Sequence, residues 1–82
     1  MKHRSDLSFS FPDAATADAI ARALAPEAAQ TEVPKTRGEV EAIGGTLRLT
    51  LHAEDLPSLR ATVNSHLRWV DAAAKAATIA RR

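Results

Sequence analysis

Apolar and polar residues alternate through Leu7-Ser8-Phe9-Ser10-Phe11, the period of two that turns one face of a β-strand to a core and the other to water. Pro12-Asp13 breaks the alternation, and Asp13 stands where it can cap a helix over residues 14–25, an alanine-rich segment of high helix propensity. On a helical wheel Ala17, Ile20 and Leu24 share one face while Asp18 and Arg22 point away, and Pro26 is expected to end the helix. Residues 28–34 read as a connection. Alternation then returns over residues 35–43 and 46–53, on either side of Gly44-Gly45. Two glycines between alternating runs predict a two-residue hairpin turn of type I′, with both glycines at positive φ.

The hairpin's register follows from its side chains. If Ile43 faces Thr46, then Ala42 faces Leu47, Val40 faces Leu49 and Gly38 faces Leu51, so every inward pair is apolar or small. On the other face Glu41 meets Arg48 and Arg37 meets His52. A slip of one residue spoils both faces. Asp55 then caps a second helix, with Pro57 tolerated in its first turn, running to about residue 80. Leu56, Leu59, Val63, Leu67, Val70, Ala74 and Ala77 are expected to complete the core over Leu47, Leu49 and Leu51. The fold class is α+β in β-α-β-β-α order: a three-stranded antiparallel sheet with two helices packed on one face. A helical crossover of the usual hand requires the third strand to lie between the first two. Residues 1–82 form a single domain.

Composition narrows the partners more than the fold. A chain of 82 residues without cysteine has neither a disulfide framework nor a cysteine-ligated zinc site. The basic start runs straight into the first strand without a signal-peptide core, and no run reaches the ~18 apolar residues of a membrane span, so a cytoplasmic location is expected. Net charge is only +1, yet from Arg60 onward the chain carries Arg60, Arg68, Lys75, Arg81 and Arg82 against Asp71 alone. Such an end suits either a solvated helix face or a phosphate backbone.

The last helix carries most of the candidate chemistry. Opposite its expected core face lie Thr62, Ser65, Trp69, Ala72, Ala73, Ala76 and Ala80, small residues around one indole. Small side chains let another helix approach closely, and tryptophan is a common anchor of interfaces, which makes this a partner-docking face. Between the two faces runs a polar stripe of Arg60, Asn64, Arg68, Asp71 and Lys75, suited to a carboxylate, a backbone carbonyl or the phosphate of a nucleic acid. Arg68 and Lys75 are also spaced to pair with Asp71. His3, His52 and His66 have no metal-site spacing and are expected at the surface, serines 10, 58 and 65 have no evident base, and Gly44-Gly45 lacks the pattern of a phosphate loop. No catalytic, metal or cofactor residues are expected, and the chain is not expected to be an enzyme.

The run Glu54-Asp55-Leu56-Pro57-Ser58-Leu59-Arg60-Ala61-Thr62-Val63-Asn64-Ser65-His66-Leu67-Arg68-Trp69-Val70, after a hairpin ending in Leu47-Arg48-Leu49-Thr50-Leu51-His52-Ala53, resembles the Pcc-type small subunit of the archaeal and eukaryotic KEOPS complex. Phe9-Ser10-Phe11-Pro12-Asp13 and Ala23-Leu24-Ala25-Pro26-Glu27 resemble its first strand and the end of its first helix. The resemblance implies a non-catalytic subunit of a complex that forms threonylcarbamoyladenosine at position 37 of tRNAs reading codons that begin with A. It further implies a homodimer in archaea, helices that pack with two helices of the threonylcarbamoyl transferase subunit, through it a link to the kinase subunit, and a contribution to tRNA binding. Two other readings stay open on the residues alone: a free-standing KH-like RNA-binding module, which needs a GxxG loop, and a dimeric small-ligand regulatory domain.

Overall fold

A computed structural model of the chain describes residues 2–29 and 35–80. The elements are β1 (His3–Ser10), α1 (Ala14–Ala29), β2 (Thr36–Ile43), β3 (Thr46–Ala53) and α2 (Leu56–Ala80). The three strands form one antiparallel sheet in the order β1-β3-β2. Pairing of β2 with β3 follows the expected register throughout, from Ile43 opposite Thr46 to Arg37 opposite His52. Both pairings place the same residues of β3 on the inner face, so Leu47, Leu49, Leu51 and Ala53 are all fully buried. The expected connection at residues 28–34 lies, in its residues 30–34, outside the described part of the chain.

Both helix starts are capped as the acidic residues predict. The Thr16 backbone N–H donates to Asp13 Oδ1 at 2.7 Å, and the Ser58 backbone N–H donates to Asp55 Oδ1 at 2.8 Å. Each carboxylate satisfies an amide that the helix leaves without an intrahelical partner. Helix α1 buries Ala17, Ile20, Leu24 and Ala28, one stripe at spacings of three and four. It does not stop at Pro26, which lies inside it. The proline is exposed, so water can satisfy the carbonyl that loses its amide partner, and the last turn is held by burial of Ala28.

The hairpin turn differs from expectation in one respect. Gly44 alone has positive φ, at 59°, the single-positive pattern of a type II′ rather than a type I′ turn. Gly45 is needed for another reason. Its carbonyl accepts the Phe11 N–H at 2.8 Å, and a Cβ on Gly45 would stand 2.9 Å from the Phe11 carbonyl oxygen. The turn thereby ties the end of β1 to the β2–β3 hairpin.

The core is a cluster of Ile20, Leu24, Leu47 and Val70, with Phe9, Phe11, Val40, Trp69, Ala73 and Ala74 packed against it. Helix α1 lies chiefly across β2, and α2 across β3 and β1. α2 is rotated from the expected setting. Leu67 and Leu56, expected in the core, are 39% and 55% exposed, whereas Thr62 and His66 are buried at 1% and 0%. The shift amounts to about 60° around the helix axis. His66, expected at the surface, meets part of its polar requirement locally: Nδ1 lies 2.8 Å from the Thr62 carbonyl and donates to it. Its ring packs on Trp69 at a centroid distance of 4.7 Å, and Nε2 is buried without a protein partner. Gly38 makes room beneath, since a Cβ there would stand 3.3 Å from His66 Nε2 and 3.2 Å from the Ala28 carbonyl oxygen.

Candidate partner-docking surface

The rotation of α2 divides the residues singled out for docking. Thr62 is buried and is unavailable to a partner, because the covered stripe of α2 runs through it, His66 and Val70. Trp69 and Ala73 are half-buried against the core cluster, and Ser65 is half-buried beside them. Ala72 and Ala76 are exposed. Ala80 lies outside the described side chains.

Around the helix, Ser65, Trp69, Ala72 and Ala76 fall within about 60° of one another, on the flank opposite Leu56, Val63 and Leu67. His66 and Trp69 pack with their rings tilted by 58°, and His66 Nε2 lies over Gly38 beside the Ala28 carbonyl near the end of α1, so the tryptophan flank is the one turned toward α1. A right-handed β1-α1-β2 crossover gives the same assignment. Helix α1 in turn carries Ala15, Ala19 and Ala23 at four-residue intervals, all exposed. Both helices therefore present small residues outward around a half-buried indole, a surface on which further helices can seat at close range.

Of the polar stripe, Arg60, Asn64 and Arg68 are exposed along one side of α2. Lys75 is engaged: its Nζ lies 2.9 Å from Asp71 Oδ2 at a spacing of four residues. The pair is solvent-exposed, contributes little to stability, and leaves Lys75 less free for a phosphate than its neighbours.

The outer face of the sheet has its own organisation, absent from the sequence reading beyond the Glu41–Arg48 and Arg37–His52 pairs. Its rows run Arg4–His52–Arg37, then Asp6–Thr50–Glu39, then Ser8–Arg48–Glu41. Asp6 is held at 3.0–3.1 Å by the Arg4 guanidinium and at 3.2 Å by the Thr50 hydroxyl. The Arg4 hydrogen bonds keep the Asp6 carboxyl below its ordinary range, and Asp6 in turn raises Arg4. Among the described residues no group of three or more His, Asp or Glu is gathered as a metal site would need, and no helix is long and apolar enough to cross a membrane.

These features define a small α+β domain whose distinctive surfaces lie on its helix pair and its strand edges. A family model described as Transcription factor Pcc1 matches residues 4–78, and the chain belongs to this family, the small-subunit family of the KEOPS complex. A comparison with curated proteins finds no match.

Proposed function

We propose that this chain acts as a non-catalytic, cytoplasmic adaptor of a KEOPS complex engaged in forming threonylcarbamoyladenosine at position 37 of tRNAs reading codons that begin with A. In this reading it homodimerises, seats two helices of the threonylcarbamoyl transferase subunit against α1 and α2, and reaches the kinase subunit only through the transferase. The observation that carries it is the family match across nearly the whole chain, joined to exposed small residues on both helices. Ala72 and Ala76 with Ala15, Ala19 and Ala23 form the seat, and Trp69 and Ala73 stiffen its floor. Arg60, Asn64 and Arg68 supply a row of donors for a partner's carbonyls or the phosphates of a bound tRNA.

Co-expression with the transferase subunit tests the seat. Ala72→Arg combined with Ala76→Arg is expected to abolish co-purification while the circular dichroism spectrum is unchanged, because both positions are exposed in the free domain. A complex recovered in undiminished yield from that variant overturns the docking role. Replacing Arg60 and Arg68 by Glu is expected to weaken tRNA binding by the assembled complex and to flatten its salt dependence. Unchanged binding removes the stripe from the tRNA contact.

A further inference from the structure

The outer face of the sheet lies away from both helices, and its charges fall in rows of alternating sign. The cross-strand row of Arg4, His52 and Arg37 is cationic, and the next row, Asp6, Thr50 and Glu39, is anionic. A third row sets Ser8, Arg48 and Glu41 side by side. In the first two rows the charges are already paired within the chain. Asp6 is held by Arg4 and Thr50, and Glu39 has Arg37 Nε and His52 Nε2 each at 3.8 Å. Arg48 and Glu41 differ. They stand opposite one another and are both exposed, yet neither side chain has an ion-pair or hydrogen-bond partner among the described residues. Arg48 rises between two depressions: one of about 360 Å³ toward Arg4, Asp6 and Ser8 of β1, the other of about 160 Å³ toward Glu39 and Glu41 of β2. Thr50 lines both.

We propose that this face seats an extended segment of another protein, laid along β3, with acidic, basic and acidic residues at alternate positions. Alternate residues of an extended chain repeat at about 6.8 Å, which is also the spacing of the rows. A segment over β3 therefore meets the rows in step. Its first acidic residue lies over His52, between Arg4 and Arg37. Its basic residue lies over Thr50, with Asp6 and Glu39 on either side and Glu41 on the diagonal, and its second acidic residue lies over Arg48. The contact at Arg48 contributes most, because this guanidinium has no carboxylate to give up and can take one through two N–H donors. The short side chain of Thr50 leaves the basic residue room between the acidic ones. The same pattern disfavours other occupants. A nucleic acid would set its phosphates against Asp6, Glu39 and Glu41, and an apolar segment would meet Ile43 as the one large apolar side chain on this face. The face lies on the far side of the sheet from α1 and α2, so this partner is separate from the docking reading above and does not depend on it.

A blocked peptide, Thr-Glu-Thr-Lys-Thr-Glu-Thr, presents the same order of charges in both directions and so tests the face whichever way it lies. Titrated to about 5 mM into the isotope-labelled chain at about 20 mM salt, where exposed charges are least screened, it is expected to shift the backbone amides of β3 from Arg48 to His52 and to leave those of α1 unmoved. The inverted peptide, Thr-Lys-Thr-Glu-Thr-Lys-Thr, is expected to bind about tenfold more weakly or worse, because like charges then meet in every row. Arg48→Glu is expected to weaken the first peptide about tenfold and to bind Thr-Glu-Thr-Lys-Thr-Lys-Thr more tightly than the parent chain does. Arg48 is exposed, so the circular dichroism spectrum of that variant is expected to be unchanged. Arg22→Glu on α1 changes the net charge equally and is expected to leave peptide binding as it was. Shifts of equal size with the first and inverted peptides, or binding unaffected by Arg48→Glu, overturn the proposal. So does a face that responds to an RNA oligomer alone or to none of these probes. None of these results bears on co-purification with the transferase, which decides the docking role separately.

Discussion

The two lateral halves of this domain solve the same packing problem to different degrees. On the α1–β2 side the helix buries a four-residue stripe of Ala17, Ile20, Leu24 and Ala28, and its C-terminal turn comes close enough to Gly38 that a Cβ there would crowd the Ala28 carbonyl oxygen at 3.2 Å. On the α2–β1 side the helix is longer and carries the larger apolar residues, yet Leu56 and Leu67 stay in water and no residue of β1 is fully buried. α1 covers its large side chains Ile20 and Leu24, whereas α2 leaves Leu56 and Leu67 open, as β2 leaves Ile43 at its end. Small side chains let helix and sheet approach until water is excluded.

The contrast can be broken by substitution. Ile20→Ala on the closed side removes a buried side chain and is expected to cost about 2–5 kcal/mol, read from the urea midpoint at unchanged slope, whereas Leu67→Ala measured on dilute monomer is expected to stay below about 1 kcal/mol. Equal losses would mean that the two sides are packed alike. Gly38→Val tests the closeness of that packing. Its side chain meets the Ala28 carbonyl and His66 Nε2, and a loss of about 1–3 kcal/mol is expected, with near-ultraviolet circular dichroism of Trp69 altered because the indole rests on His66. Removing the α1 cap with Asp13→Ala is expected to cost about 1 kcal/mol in thermal or urea unfolding.

The smallest effect concerns acid. Asp55 is held below its ordinary value of 3.8, first by the Ser58 backbone N–H and then by the Ser58 hydroxyl, and Asp6 is lowered chiefly by its hydrogen bonds to Arg4. Both folded values lie below the unfolded ones. The stabilisation is therefore present above about pH 4 and is lost as the pH falls through the depressed folded values. Both residues serve the open side, one at the start of α2 and one on β1. Unfolding midpoints measured between pH 6 and pH 2.5 are expected to fall less steeply in the Asp55→Asn, Asp6→Asn double variant than in the parent chain. A parent and variant with parallel acid limbs would show that these carboxylates do not report on that side.

Local chemistry was legible in the sequence wherever a few adjacent residues settled the outcome. The caps at Asp13 and Asp55 depend on a side chain and an amide three residues on, the β2–β3 register depends on alternation about a two-residue turn, and the order β1-β3-β2 was expected from the helical crossover between β1 and β2. The resemblance of the 54–70 run likewise agreed with the family to which the chain belongs. Even at this scale two details escaped: which glycine of the pair takes positive φ, and the passage of α1 through Pro26. Tertiary structure alone decided the rotation of α2. Hydrophobicity ranked Leu56 and Leu67 above Thr62 and His66, but burial follows from how closely the helix backbone can approach the sheet at each point. Over Gly38 there is room for a histidine whose Nδ1–H is spent on the Thr62 carbonyl. A helical wheel orders residues around an axis without fixing which angle meets the sheet. That angle is set by contacts between α2, β2 and the end of α1, residues far apart in sequence, and it determines which side chains remain for another protein to find.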